Sequence, residues 1–108
     1  MNTLIENNIN NIQQICRRFH VKNLYLFGSA ASSSFNDQSD IDFLVTFDPV
    51  TLDDYSDNFF GLMYSLQETL KRKIDLVITS SLRNPYFIES VEESKVLIYN
   101  KGNQEVFV

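Results

Sequence analysis

The hydrophobic positions along the chain divide it into alternating helix-like and strand-like segments. Near the start, apolar residues recur at spacings of three and four, which predicts an amphipathic helix over about residues 2–19. A second helix is predicted from Tyr55 to Leu70, and a third begins at Asn84-Pro85, where proline suits the first turn. Short apolar runs without helical spacing predict four strands, with the sequences NLYLFG, DIDFLVTF, KIDLVIT and KVLIYN.

The order of these elements predicts the fold class. Strands that alternate with helices are typical of an α/β domain built around one sheet. A chain of 108 residues can bury one hydrophobic core but not two, so we expect a single domain over residues 1–108. The tail over residues 101–108 can fray or add a fifth strand at the edge of the four-stranded sheet.

The segment between the first two strands is rich in small and polar residues. Gly28 closes the first strand, and SAASSS after it predicts the first turns of a short helix with Ser29 near the N-cap. A glycine allows close backbone approach, and N–H groups that open a helix bind anions such as phosphate. Gly28 and Ser29 are therefore candidates for binding phosphate groups.

Two aspartates interrupt the apolar run of the second strand. Because side chains alternate along a strand, Asp40 and Asp42 point to the same face, about 7 Å apart along the chain. The positions that face the other way are all apolar: Ile41, Phe43 and Val45. An ionised carboxylate is costly to bury alone. Asp42 must therefore lie near a strand end, be paired, or bind a cation.

The third strand repeats this arrangement, because Asp75 precedes its apolar run. If the two strands are neighbours, three carboxylates meet at one end of the sheet. No lysine or arginine lies inside those strands, so repulsion would raise the carboxylate pKa values unless a metal ion compensates. Oxygen ligands suit Mg²⁺ or Mn²⁺, and a pair of such ions can clamp an in-line displacement at phosphorus.

The charge of the chain limits its partners. The net charge is −5 and the pI is about 4.6, which argues against direct nucleic-acid binding through phosphate neutralisation. The one basic cluster, Lys71-Arg72-Lys73, is interpreted as the cationic C-terminus of the middle helix. No apolar stretch is long enough for a membrane span and no signal peptide is recognisable, so we expect a cytoplasmic protein.

Taken singly, each of these features is common at ordinary turns, but their joint order is specific. Gly-Ser, ten residues, DID and a later IDLV resemble the DNA polymerase beta-type nucleotidyltransferase superfamily. Over about residues 10–100 the chain is most similar to the smallest members, the minimal nucleotidyltransferases (MNT). The resemblance implies a nucleotidyltransferase fold with a mixed sheet flanked by helices.

The resemblance also implies roles for individual residues. Asp40, Asp42 and Asp75 would be the catalytic metal ligands for Mg²⁺ or Mn²⁺, with Asp75 closest to the attacking hydroxyl. The nucleotide ATP would be bound at Gly28, Ser29 and Ser39. Members usually transfer AMP from ATP. Many are antitoxins that adenylylate a tyrosine of a partner toxin with a HEPN domain, which is the function expected here.

One departure from the family pattern concerns the stretch after Gly-Ser. The family often continues with x-Ala-Arg-Gly, whereas this chain has Ala30-Ala31-Ser32-Ser33 and so lacks a basic residue near the phosphates. Arg83 is a candidate substitute. The departure keeps a second hypothesis open, in which the protein is a binding module that neutralises its partner by complex formation with little or no catalysis.

A third hypothesis is transfer to a small molecule or an RNA end. It is less favoured because the chain has room for the catalytic core alone, so a partner must bring the acceptor. The middle helix carries more large apolar residues than one face can hold: Tyr55, Phe59, Phe60, Met63 and Tyr64. We expect most of them in the core and some in contact with a protein partner or a second copy of the chain.

Overall fold

Four strands form one mixed sheet in the computed structural model, which describes residues 2–32, 36, 38–49 and 52–102. The strands are β1 (Val21–Phe27), β2 (Ile41–Phe47), β3 (Ile74–Ile78) and β4 (Val96–Asn100). Their spatial order is β3-β2-β1-β4, with β1 antiparallel to both β2 and β4, and β2 parallel to β3. The predicted α/β fold with a mixed four-stranded sheet is confirmed. The fifth strand considered for the tail would involve residues 103–108, which lie outside the described residues.

The helices follow the predicted pattern with one division. They are α1 (Thr3–Asn7), α2 (Ile9–Arg18), α3 (Leu52–Leu70) and α4 (Pro85–Ser94). The single helix predicted over residues 2–19 is divided at Asn8, whose backbone has φ −114° and ψ 10°. The Asn8 side-chain amide donates to the carbonyl of Leu4 at 2.9 Å. Such local side-chain bonds compete with a continuous helix.

Helix α4 begins as its sequence predicts. Asn84 is the N-cap, and its Oδ1 accepts the N–H groups of Tyr86 at 2.9 Å and Phe87 at 3.3 Å. Pro85 occupies the first helical turn, where its missing N–H costs no hydrogen bond. Phe87 then packs edge-on against Phe27 at the end of β1, with ring centroids 6.0 Å apart. The start of α4 thus lies beside the end of β1.

The two faces of the sheet pack differently. The face covered by α2 and α3 contains the main core, in which Ile41, Phe43 and Val45 are fully buried. On the other face, Leu44 packs with residues of β1 and α4 in a much smaller cluster. This alternation along β2 confirms the predicted sidedness and puts Asp42, two residues before Leu44, on the thinly covered face.

Candidate active site

The turn after β1 brings the backbone of Gly28 against Asp42. Phe27 is paired with Asp42 in the antiparallel register of β1 and β2. Gly28 has φ +68°, and a β-carbon on it would lie 2.3 Å from Oδ2 of Asp42. Only glycine fits there, because the left-handed backbone and the missing side chain are both needed. The close approach predicted at Gly28 is therefore made to a carboxylate of the protein itself.

The parallel pairing of β2 and β3 brings two aspartates together. Asp42 is directly opposite Asp75 in this register. The pKa of Asp42 is raised to about 6, first by partial burial and then by the nearby charges of Asp75 and Asp40. Three carboxylates thus interact at one end of the sheet, as the strand pattern suggested.

Asp40 lies one residue before β2 and is exposed. The ammonium group of Lys73 is 3.8 Å from its Oδ2. Lys73 lies outside β3, in agreement with the absence of basic residues within the strand, yet it forms an ion pair with this carboxylate. Both side chains are largely solvated, so this ion pair neutralises Asp40 only weakly.

The chemistry of the donors fits a hard cation. Within residues 2–32, 36, 38–49 and 52–102, no group of three or more His, Cys, Asp or Glu side chains could hold a metal ion by itself. Mg²⁺ does not require one, since it usually takes one or two carboxylates together with waters and substrate phosphates. Burial and the charges of Asp75 and Asp40 raise the pKa of Asp42, and a bound cation would favour its ionised form, so the oxygen donors of Asp40, Asp42 and Asp75 suit a hard cation.

The two serines expected at the nucleotide site lie on either side of this cluster along the chain. Ser29 is within a 3-10 helix, Gly28–Ala31, whose N-cap is Phe27. Ser29 is therefore near the N-cap but does not occupy it, because the extended backbone of Phe27 takes that position. The carbonyl of Ser29 instead accepts the N–H of Ser32 at 3.0 Å. Ser39, half-buried, precedes Asp40 and is bound within the turn before β2.

Arg83 does not turn toward the carboxylates. Its Nη1 donates to the carbonyls of Ser80 at 2.6 Å and Leu82 at 2.9 Å. The guanidinium therefore closes its own loop between β3 and α4. The role considered for Arg83, as a substitute for the missing basic residue near the phosphates, gains no support from this geometry.

The basic cluster has a different role from the one interpreted from sequence. Helix α3 ends at Leu70, so all three basic residues follow it rather than occupy its last turn. Lys71 pairs with Glu68 at 3.3 Å, while Lys73 reaches Asp40. Arg72 donates to backbone carbonyls of the turn before Asp40. Sequence spacing missed the contacts of Arg72 and Lys73, because they join residues more than thirty positions apart.

Comparisons with known proteins agree with the fold. The family described as "Polymerase beta, Nucleotidyltransferase" matches residues 10–104. The Methanocaldococcus jannaschii protein named "Putative protein adenylyltransferase MJ1379" is 35% identical over 81 residues, which cover 75% of this chain and 80% of that protein.

Two solved structures are also similar. A structure described as that of a "putative minimal nucleotidyltransferase" has a TM-score of 0.68 and 26% identity, covering 89% of this chain and 95% of the other. A mutant of the toxin–antitoxin MntA-HpeT has a TM-score of 0.62 and 26% identity, covering 85% of this chain and 72% of the other.

The mixed sheet, the Gly-Ser turn and the aspartates on adjacent strands define a nucleotidyltransferase, an enzyme that transfers a nucleotide to an acceptor. The match over residues 10–104 and the curated relative make the assignment more specific. This chain belongs to the polymerase beta-type nucleotidyltransferase family and, within it, to the minimal nucleotidyltransferases. None of the helices in its described residues is long and apolar enough to cross a membrane.

Proposed function

We propose that this protein transfers AMP from ATP to a tyrosine of a HEPN-domain toxin and thereby acts as the antitoxin of the pair. The observation that carries the proposal is the pairing of Asp42 with Asp75 across parallel strands, with Asp40 beside them. Oxygen donors concentrated at an accessible sheet end suit the transfer of a nucleotide from a triphosphate. Such a reaction, on a toxin that acts inside the cell, belongs in the cytoplasm.

Asp40, Asp42 and Asp75 would hold Mg²⁺, or Mn²⁺ in its place. When bound, the metal supplies charge neutralisation for the phosphates and lowers the pKa of the attacking hydroxyl. In the proposed reaction the tyrosine oxygen forms a bond to the α-phosphorus. The bond from that phosphorus to the bridging oxygen breaks, and pyrophosphate leaves.

The protein's own residues divide the remaining work. Asp75 is exposed at the start of β3, where it can accept the proton of the incoming hydroxyl. Gly28 and Ser29 lie at the same end of the sheet as Asp42, and their backbone N–H groups are proposed to bind the terminal phosphates. Ser39 is proposed to contact the nucleotide from the turn before β2.

The acceptor is proposed to be a protein. The relative from M. jannaschii is named as a protein adenylyltransferase, and one of the similar solved structures is a toxin–antitoxin. Four large apolar side chains are exposed and available for contact with a partner: Phe60, Tyr64, Tyr86 and Phe87. Exposed aromatic residues are enriched where proteins bind one another.

A second candidate function is neutralisation of the toxin by binding alone. It is favoured by the stretch Ala30-Ala31-Ser32-Ser33, which lacks the usual basic residue, and by the engagement of Arg83 with its own loop. Loss of a cation near the phosphates would weaken nucleotide binding without affecting a protein interface.

The test is incubation of the pure protein with Mg²⁺, α-labelled ATP and lysate of its own cell, beside an Asp42→Asn variant. Adenylyl transfer predicts a protein band that only the unaltered enzyme labels, and the mass of that band identifies the acceptor. Label on RNA or on a small molecule would contradict a protein acceptor. A variant that transfers nothing and still neutralises the toxin would support the binding module instead.

A further inference from the structure

The connection between α3 and β3 reaches back to the turn that precedes β2. Nη2 of Arg72 donates to the carbonyl of Asn36 at 2.7 Å and also to the carbonyl of Ser39. Arg72 is half-buried there. One guanidinium group thus holds two carbonyls of the turn, and the second of them belongs to the residue directly before Asp40.

The turn itself is closed by its own hydrogen bonds. The N–H of Ser39 donates to the carbonyl of Asn36 at 3.1 Å, and Oγ of Ser39 accepts the N–H of Asn36 at 3.2 Å. Oδ1 of Asn36 accepts the N–H of Gln38 at 2.8 Å. These bonds define the turn locally, but they do not attach it to the rest of the protein. That attachment is made by Arg72.

Asp40 needs this support because of its place in the chain. It precedes the first residue of β2, and its side chain is exposed, so packing does not fix it. On its C-terminal side, the N–H of Ile41 donates to the carbonyl of Lys73 at 3.0 Å. Asp40 therefore lies between two anchors, the Ser39 carbonyl and the Ile41 amide, which are held by the consecutive residues Arg72 and Lys73.

We propose that Arg72 is a positioning residue of the active site, which holds the backbone before Asp40 so that this carboxylate is placed to bind the metal ion together with Asp42. The inference rests on the proposed function, because it takes Asp40 as a metal ligand. Groups that orient a ligand from outside typically change metal affinity by about 10–100-fold when they are removed. Arg72 acts here through the backbone of its neighbours and not by contact with the nucleotide.

The direction in which a substitution changes metal affinity distinguishes a positioning role of Arg72 from an effect of its charge. Removal of a positive charge near a cation site strengthens cation binding, because repulsion is lost. Loss of positioning has the opposite effect. Lys73 provides the matched control, since its ammonium lies 3.8 Å from Oδ2 of Asp40, whereas the two carbonyls of the turn are bound by Arg72. Arg72→Gln should weaken metal binding, whereas Lys73→Gln should strengthen it.

The experiment is a titration of the full chain with Mn²⁺ in the absence of nucleotide, followed by electron paramagnetic resonance of the free ion. We expect Arg72→Gln to raise the Kd by about tenfold and Lys73→Gln to lower it by about twofold or less, because both groups are solvated. Arg72→Lys keeps the charge and a donor but not the planar fork, so it should give an intermediate Kd.

Amide hydrogen exchange supplies a second measurement that does not depend on metal. Arg72→Gln should speed exchange at Ser39 and Ile41 while the amides of β1 keep their protection. A Kd that is unchanged or lower in Arg72→Gln, when its melting temperature is that of the unaltered protein, would overturn the inference. If Arg72→Gln does not fold, a Kd for Arg72→Lys equal to that of the unaltered protein would overturn it instead.

Failure of the proposed function has a different signature. If the unaltered protein and Asp42→Asn bind Mn²⁺ alike, these carboxylates are not the metal site, and the positioning role falls with it. If the unaltered protein binds Mn²⁺, Asp42→Asn does not, and Arg72→Gln binds it as the unaltered protein does, then the metal site stands and the role of Arg72 alone is wrong.

Discussion

Gly28 and Gly61 both lie too close to a neighbouring side chain to carry a β-carbon, but the neighbour is a carboxylate in one case and an aromatic ring in the other. A β-carbon at Gly28 would lie 2.3 Å from Oδ2 of Asp42, and a β-carbon at Gly61 would lie 2.3 Å from Cε1 of Phe19. Gly28 follows β1 at the open end of the sheet, with a positive φ, while Gly61 lies within α3 where that helix crosses the end of α2. One glycine allows a charged group to approach the backbone. The other allows an aromatic ring to do so.

The difference shows that close packing at Gly28 affects the candidate active site, whereas close packing at Gly61 affects the stability of the core. Around Gly61 the neighbours are apolar and belong to the main core or pack against it. Around Gly28 the neighbouring group is a carboxylate whose pKa is already raised by burial and by two other aspartates. A methyl group added at Gly28 should therefore reduce activity, whereas one added at Gly61 should reduce stability.

The largest expected effect is on the carboxylate that faces Gly28. Asp42→Asn removes the charge at the centre of the cluster, so we expect nucleotide transfer to fall by a factor on the order of 1,000 or more, measured with α-labelled ATP. Asp48→Asn is the control, since Asp48 lies beyond the other end of β2 and pairs with Lys101 at 2.7 Å. An equal loss of transfer in both variants would show that transfer depends on the overall negative charge of the protein and not on the carboxylate at this site.

Asp42→Asn also has a predicted effect on stability. The pKa of Asp42 is raised to about 6, so the protonated form stabilises the metal-free fold, and this contribution is lost as the pH rises through about 6. Solvent screening reduces its size, because the group is only partly buried. The melting temperature of the metal-free variant at pH 7.5 should therefore equal or exceed that of the unaltered protein. A clear fall would contradict the assigned cause of the shift.

The next effect concerns Gly28→Ala. The added methyl group strains a left-handed backbone and displaces the Asp42 carboxylate, so transfer should fall by about 10–100-fold, as for small misplacements of reacting groups. The apparent Kd for Mn²⁺ should rise with it. Retention of full activity would show that the Asp42 carboxylate can move away from Gly28 without loss of function.

Gly61→Ala should have the reverse profile. The methyl group meets the Phe19 ring at the α2–α3 contact, and overpacking of this kind costs about 1–3 kcal/mol in the free energy of unfolding. Urea denaturation measures this loss. Transfer per folded molecule should stay unchanged, and a reduced rate at full folding would show that the packed face and the site are coupled.

The smallest effect is a chemical test of the packed face. Cys16 is fully buried in α2, and burial raises the pKa of its thiol to about 12. At pH 8 the thiol is therefore protonated, and Ellman's reagent should react with it only as the protein unfolds in urea. Rapid reaction of the native protein would mean that α2 opens readily from the sheet.

The sequence indicated the strands and the sidedness of β2 because alternation is a local property. Ile41, Phe43 and Val45 lie in the core and Asp42 on the other face as the period of two requires. The break at Asn8 was missed because helical spacing continues through it, although a side-chain bond to Leu4 interrupts the helix. In both cases the outcome depends on neighbours within a few positions.

The contacts of Arg72 and Lys73 could not be predicted in this way. Lys71-Arg72-Lys73 has the composition of a helix C-terminus, and nothing in it indicates which distant carbonyls it meets. Only the parallel register of β2 and β3 puts the start of one strand beside the start of the other. The site's supporting residues are therefore a product of topology rather than of local pattern.

The parallel pairing of β2 with β3 has a consequence for biosynthesis. Parallel neighbours need a crossover, here α3, so Asp75 is joined to Asp42 only after the intervening helix has been made and folded back. A growing chain that ends at Leu70 carries both aspartates of the D-x-D motif but neither Arg72 nor Asp75. Completion of β3 is thus the moment during translation at which the carboxylate cluster comes into existence.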